Sequence, residues 1–442
     1  MSIFTRLLAN TTEQESFKWP KSRGDLVVSP DSRRVAYPVS DRRGEHVEVN
    51  GKALSPYDRV SGITFSPDSR HLAYAAQRRD KWFVVVDATE REPFDGIAGS
   101  TPVFSPDSKR IAYGACRGSD WFAVLDNDAV GGPFEGFSPG GIVFSQDSSR
   151  TIYVIERGDA WVAVVDQREE PPFKTILERS WAFSPDSKHW AYAAAVCGER
   201  KEMSRFVGEC GWVIDGNIQE TWKHNELQRT DGLFHELYFS PDSMRTAYGV
   251  SEKSTFSFVV DGVRQPRYAN LASGWHGSPM WKYFPDHDKA GPRSEAFVFS
   301  PDSQHYAYAV HAREGESFLI YDRERKGPYQ TILCAPPVFS PDSKRLAYRI
   351  QKGYKQSLVV DWRAMAFGDS LPPIGCAFSP RSDKIAYVAA DGDVGYVVVD
   401  SRTWRLRGGP VVGAKMVWDD DQHLHTLLAK GRRIELTSFS VE

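Results

Sequence analysis

A short phrase recurs along this chain: TFSPDSRHLAY at Thr64, VFSPDSKRIAY at Val103 and VFSPDSKRLAY at Val338. Its Ser-Pro-Asp-Ser core begins at Ser29, Ser66, Ser105, Ser184, Ser240, Ser300 and Ser340. SQDS at Ser145, SPRS at Ser379 and a worn copy, VWDDDQHLHTL, from Val417 complete a series of ten. Most copies stand 37 to 40 residues apart, with longer intervals after Ser184 and Ser240. A fixed period of this length is the signature of a repeat architecture.

The phrase spells a β-hairpin. Proline pre-sets one corner of a tight turn, and the flanking Ser and Asp side chains can bond local amides. An apolar run precedes the turn, and a β-prone run such as Ile111-Ala112-Tyr113 follows it. A third run comes next in most copies, WFVVVD at Trp82, WFAVLD at Trp121, WVAVVD at Trp161 and SLVVD at Ser357, and its closing Asp opens another turn. A fourth follows: EPFDGI at Glu92, GPFEGF at Gly132, PPFKTI at Pro171, GPYQTI at Gly327. Four strands per repeat is the content of one blade of a β-propeller. The expected fold is all-β: a single closed propeller of ten four-stranded blades.

The wording F-S-P-D-S-x-x-x-A-Y resembles the WD40-like propeller repeat of bacterial proteins, and is similar to the repeats of the Tol-system propeller and of prolyl-oligopeptidase propeller halves. The W-[FV]-x-V-x-D third strand looks like that of the bacterial repeat proteins of this type. The resemblance spans residues 13–442 and implies a propeller, with residues 1–12 a tail. It does not imply a function, because propellers host many.

Closure is legible too. The last repeat supplies three strands, Ala414–Trp418, His423–Leu428 and Arg433–Phe439. The N-terminus holds an orphan run, ESFKWP, at the spacing of a fourth strand. Glu15–Pro20 is expected to complete the last blade and leave no open edge. One such latch argues for one ring; two five-bladed rings would need a second split blade near residue 230.

Nine tyrosines, Tyr37, Tyr74, Tyr113, Tyr153, Tyr192, Tyr248, Tyr308, Tyr348 and Tyr387, share one repeat position and read as core between blades. The basic pairs after each turn, Arg33-Arg34, Lys109-Arg110 and Lys344-Arg345, read as a salt-bridged rim, or otherwise as a ring for an acidic partner.

Three stretches break the period: 197–210, 217–236 and 269–295. By blade order all three are expected on one rim, as loops above the fifth to seventh blades. Scaffold loops carry function. The third stretch holds Trp275, His276, Met280, Trp281, Tyr283 and Phe284, the side chains that interaction hot spots favour. These six are the candidate partner-binding residues; the plainer reading is a small cap over the channel mouth.

Chemistry is harder to find. Asp286-His287-Asp288 with Gly291 and Glu295 has the wrong spacing for a calcium loop. His224, His235, His276 and His287 lack close ligand partners for zinc. There is no G-x-S-x-G elbow, the nearest stretch being His276-Gly277-Ser278-Pro279, and no phosphate loop. A net charge of −3 does not suggest nucleic acid. No run reaches membrane-spanning length, and IFTRLLA near the N-terminus is a poor signal. Five cysteines without metal spacing, Cys116, Cys197, Cys210, Cys334 and Cys376, fit a reduced cytoplasmic setting; Cys197 and Cys210 could bridge in an exported chain. The expected function is therefore a non-catalytic scaffold that binds a protein partner, with no cofactor or metal. The alternative is an enzyme or metal-dependent small-ligand binder built on His276, His287 and Asp286.

Overall fold

A computed structural model describes residues 11–18, 26–99, 102–178, 180–202, 205–228, 237–252, 255–271, 297–312, 316–332, 337–353, 355–365, 376–391, 394–400, 402–406, 409–410, 414–430 and 433–441. It is all-β, with ten sheets of four-stranded blades arranged as a β-propeller and no helix among the described residues. Two compact units divide the chain: Met1–Arg33 with Ser254–Ser257 and Gln265–Glu442, and Arg34–Lys253 with Phe258–Arg264. Blades are numbered here by their phrases, from Ser29.

Blade four shows why the phrase is kept. Ser145 is fully buried. Its Oγ donates to Asp147 Oδ1 at 2.6 Å and accepts the Arg150 amide at 2.9 Å, closing the hairpin turn. Ser148 stands in left-handed backbone at φ 65°, a conformation that L side chains disfavour. Serine is used there because its Oγ accepts the amide of Asp107 in the preceding blade at 3.0 Å. The same bond joins Asp68 to Ser108, Asp147 to Ser187 and Asp186 to Ser243 in one unit. In the other it joins Asp302 to Ser343 and Asp342 to Ser382. The phrase is thus a turn and an inter-blade staple at once.

The second basic residue of each pair is a further tie. Arg150 Nε reaches Asp166 at 2.7 Å, while its Nη1 donates to the carbonyls of Ser187 and Lys188 in the next blade. The guanidinium also covers the Phe183 ring at 5.1 Å. Asp166, which ends the third strand, takes the Thr151 amide on its other oxygen. Arg345 makes the same set with Asp361, Ser382, Asp383 and Phe378. In blade three the first basic residue stays in solvent: the Lys109 side chain is 81% exposed. Arg110, Arg150 and Arg345 therefore form ion pairs, as a salt-bridged rim requires, and also bind the next blade.

The fourth run of each repeat is expected as one strand, but it straddles two blades. Phe94 exchanges both backbone bonds with Trp82 in blade two. One residue later Asp95 donates to Cys116, and Gly96–Ile97 pairs with Ile111–Arg117 as the start of blade three. The crossing carries an aromatic into the neighbour: Phe94 meets Tyr113 edge-on at 6.1 Å, Phe173 meets Tyr192 at 6.0 Å and Tyr329 meets Tyr348 at 5.8 Å. All nine repeat tyrosines are buried, as expected, and burial pushes the Tyr113, Tyr153 and Tyr387 hydroxyls up to about 12.

The orphan run pairs as expected over Glu15–Lys18, but the strand starts at Thr11, inside the expected tail, and Trp19 and Pro20 lie outside the described residues. Thr11–Lys18 pairs antiparallel with Arg433–Ser440, with Phe17 opposite Ile434 and Lys18 opposite Arg433. It is the outer strand of the tenth blade, whose other strands come from the C-terminus.

Three outcomes are expected. Ser148→Ala leaves the Asp107 amide without its acceptor and should cost about 1–3 kcal/mol in denaturant melts. Ser148→Gly should cost less, because glycine accepts the left-handed backbone. Equal costs would remove the staple argument. In acid, the Ser hydroxyl and then a backbone amide hold Asp68, Asp107, Asp302 and Asp342 below the usual carboxylate range, and Asp147 at about 2. A folded value below the unfolded one, about 3.9, gives stability that is present above pH 4 and lost as pH falls further. Melting temperature should therefore drop steeply below about pH 4, and less steeply in Ser145→Ala, which starts lower at neutral pH. Deleting residues 1–18 uncovers the Arg433–Ser440 edge, so the truncated chain should melt lower and aggregate; an unchanged melt would show the latch to be dispensable.

Candidate binding site

The longest break in the repeat opens inside a strand. In blades three and four the first strand is two short pieces, Gly96–Ile97 with Val103–Phe104 and Gly136–Phe137 with Val143–Phe144, both held by the second strand. In blade seven the pieces are Asn270–Leu271 and Phe297–Phe299. Leu271 pairs with Val310 and Phe297 with Tyr308, so both ends of 272–296 are fixed on the single strand Tyr306–His311. The stretch expected between blades is an enlargement of a break that blades three and four also carry, and Asn270–Leu271 belongs to the strand.

An aromatic plate lies under that break. Phe297 stacks on Tyr306 at 5.3 Å and on Tyr308 at 5.7 Å, and meets Phe299 edge-on at 5.0 Å. Tyr306 donates to Gln265 Oε1 at 3.3 Å. At the strand's far end, His311 Nδ1 is 2.7 Å from Ser317 Oγ, and burial draws its pKa down. Such a plate offers a stiff mount, since stacked rings have few rotamers to lose. Phe297→Ala should cost about 3–5 kcal/mol in a thermal or denaturant melt; a cost under about 1 kcal/mol would mean the plate does not support blade seven.

The six candidate residues, Trp275, His276, Met280, Trp281, Tyr283 and Phe284, lie outside the described residues. So do His235, Asp286, His287, Asp288, Gly291 and Glu295, and the side chain of His224. Among the described residues no group of three or more His, Cys, Asp or Glu could hold a metal ion, and no helix is long and apolar enough to cross a membrane.

Blade five corrects the other two expected loops. Strands Trp190–Glu202, Arg205–Ile214 and Asn217–Gln228 run 13, 10 and 12 residues, so the ladder takes in most of 197–210 and the stretch 217–228, while 203–204 and 229–236 lie outside the described residues. Cys197 pairs with Glu209, Arg200 with Phe206 and Phe206 with Leu227. The β-branched and aromatic residues of RFVGECGWVI favour strand. Register shifts near Ala195, Arg200, Phe206 and Gly211 mark bulges, which twist an edge away from casual pairing. Cys210 sits opposite Ala195 and is fully buried; the side chain of Cys197 lies outside the described residues.

The plate was not found by reading the sequence. Its signal was present: Phe297-Val298-Phe299 and Tyr306 add aromatics where sister blades carry Val103-Phe104 and Ile111.

No family model matches the sequence, and a search of curated proteins returns no match. Among solved structures, similar ones include a eukaryotic initiation factor, at 10% identity and TM-score 0.43 over 83% of this chain and 93% of that one. TolB from Acinetobacter baumannii has 17% identity and TM-score 0.28 over 54% of this chain and 63% of its own. The Dos1 propeller has 12% identity and TM-score 0.36 over 76% and 92%. The class assigned here, a β-propeller of ten blades, rests on this chain's own sheets.

Proposed function

We propose that this chain is a non-catalytic scaffold that holds a protein partner through the 272–296 segment of blade seven, with Trp275, His276, Met280, Trp281, Tyr283 and Phe284 as contact residues. The observation that supports the reading is the mount. A segment dense in Trp, Tyr, Phe and Met has its two ends, Leu271 and Phe297, on two rungs of one strand, and Phe297 belongs to a stacked aromatic plate. The Ser-Pro-Asp-Ser wording supports a place among bacterial WD40-like repeat proteins of the Tol type. The free thiols of Cys116 and Cys376 support a reducing, cytoplasmic setting.

The test pairs a double substitution with a deletion. Trp275→Ala with Trp281→Ala, and removal of 273–294 with a short Gly-Ser link, should both leave the melting curve near that of the full chain, because long surface insertions add little closure entropy, about 0.6 kcal/mol per doubling. A partner enriched from host extract by the full chain, and confirmed with purified components, should bind the substituted chain at least about 30-fold more weakly, since a hot-spot aromatic contributes about 2 kcal/mol. Unchanged affinity with a lowered melt would make the segment a cap. Zinc or calcium at one equivalent in the purified chain, lost with His276→Ala or His287→Ala, would favour the metal-dependent alternative instead.

A further inference from the structure

The tenth blade lacks the phrase, yet it is joined to the first phrase by other means. Lys415 donates its amide to Ser32 Oγ at 3.0 Å, so the usual staple is received. Beside it lies His425, 1% exposed. Its Nε2 is 2.8 Å from the Asp31 carbonyl oxygen, and its Nδ1 is 2.9 Å from Asp419 Oδ2. Both partners are acceptors only. A neutral imidazole has one N–H and cannot donate to both. The same Nδ1 lies 3.5 Å from Arg33 Nη2, which also donates to Asp419 Oδ1 at 2.6 Å.

We propose that His425 is a proton-operated clasp between the first phrase and the tenth blade. With both nitrogens protonated, the ring spans Asp31 and Asp419, and Asp419 holds His425 and Arg33 together. With Nδ1 unprotonated, its lone pair faces the Asp419 carboxylate, and the contact that remains favourable there is the Arg33 guanidinium. Asp419 and His425 then separate, and the joint keeps only the Nε2 bond to Asp31 and the Ser32 staple. The groups that face the ring are the Asp31 carbonyl and Arg33 from the phrase and Asp419 from the turn after Val417–Trp418; Arg433–Ser440 places Ser438, uncharged, opposite. The Asp31 carboxylate is engaged elsewhere, by Ser29 Oγ and the Arg33 amide. In blades three and eight the residue that pairs with the matching first-strand valine is Ala112 and Ala347, where blade ten has His425 opposite Val417. The stabilising form is the protonated one, so the clasp is closed at lower pH and opens as pH rises.

The full chain with nitrogen-labelled histidine tests this by NMR from pH 5 to 8. His425 should show two ring N–H groups at the acid end and lose the Nδ1 proton on raising pH. Over the same interval, rate-corrected exchange protection of the Arg33 and Lys415 amides should fall about tenfold, the effect of losing one hydrogen bond to a charged group. In His425→Gln that pH-linked change should vanish. In Asp419→Asn, which keeps an acceptor but no charge, the pH-linked fall in protection should shrink. A single ring N–H across the whole range would overturn the proposal. So would loss of the proton without loss of protection, or the same pH-linked change in His425→Gln.

Discussion

One hydrogen bond organises the structure: the amide of a phrase aspartate donating to the last serine of the next phrase. It crosses a blade boundary, so it spends the turn's own polar groups on assembly. It also explains a costly choice. Nine phrase serines, from Ser32 to Ser382, sit in left-handed backbone that glycine would accept more easily. Glycine carries no oxygen for the neighbour's amide. The local strain is accepted because the bond it permits recurs at six blade boundaries within the two units.

Around that bond the phrase divides its labour. The first serine and the aspartate close the turn; the basic residue reaches both the third-strand aspartate and the next blade's carbonyls. Blades two, five and seven carry histidine in its place, and His71, His189 and His305 keep the aspartate contact. An imidazole is shorter than a guanidinium, so it serves the hairpin alone. Blade nine uses Lys384, which reaches the Asp421 carbonyl. Neighbour contacts of this kind are how repeat proteins accumulate stability. They leave the rest of each blade free to vary, as the long strands of blade five and the 272–296 segment do.

The two departures in blades five and seven differ in physical kind. In blade five, added residues extend three strands and satisfy their own backbone groups by pairing. In blade seven, the residues that flank the added segment pair with one strand two rungs apart, and one of them, Phe297, packs on Tyr306 and Tyr308. Pairing gives a bulged ribbon that discourages further strands. The break gives an anchored segment whose composition suits contact with another protein.

The sequence by itself determined the strand content, the ten repeats, the buried tyrosines and the latch. Each is written in local residues at a fixed spacing, and a period of about 40 residues admits few architectures. Tertiary structure decided the rest. That Ser148 serves Asp107, that Arg150 serves Ser187, and that Phe94 ends one blade while Gly96 begins the next are relations between repeats, and spacing within a repeat does not encode them. The interrupted period at 197–210 and 217–236 reads equally as loop or as longer strand until a pairing partner is known. The Phe297 plate and the His425 clasp came from packing for the same reason: their partners lie far along the chain, and only the fold brings them together.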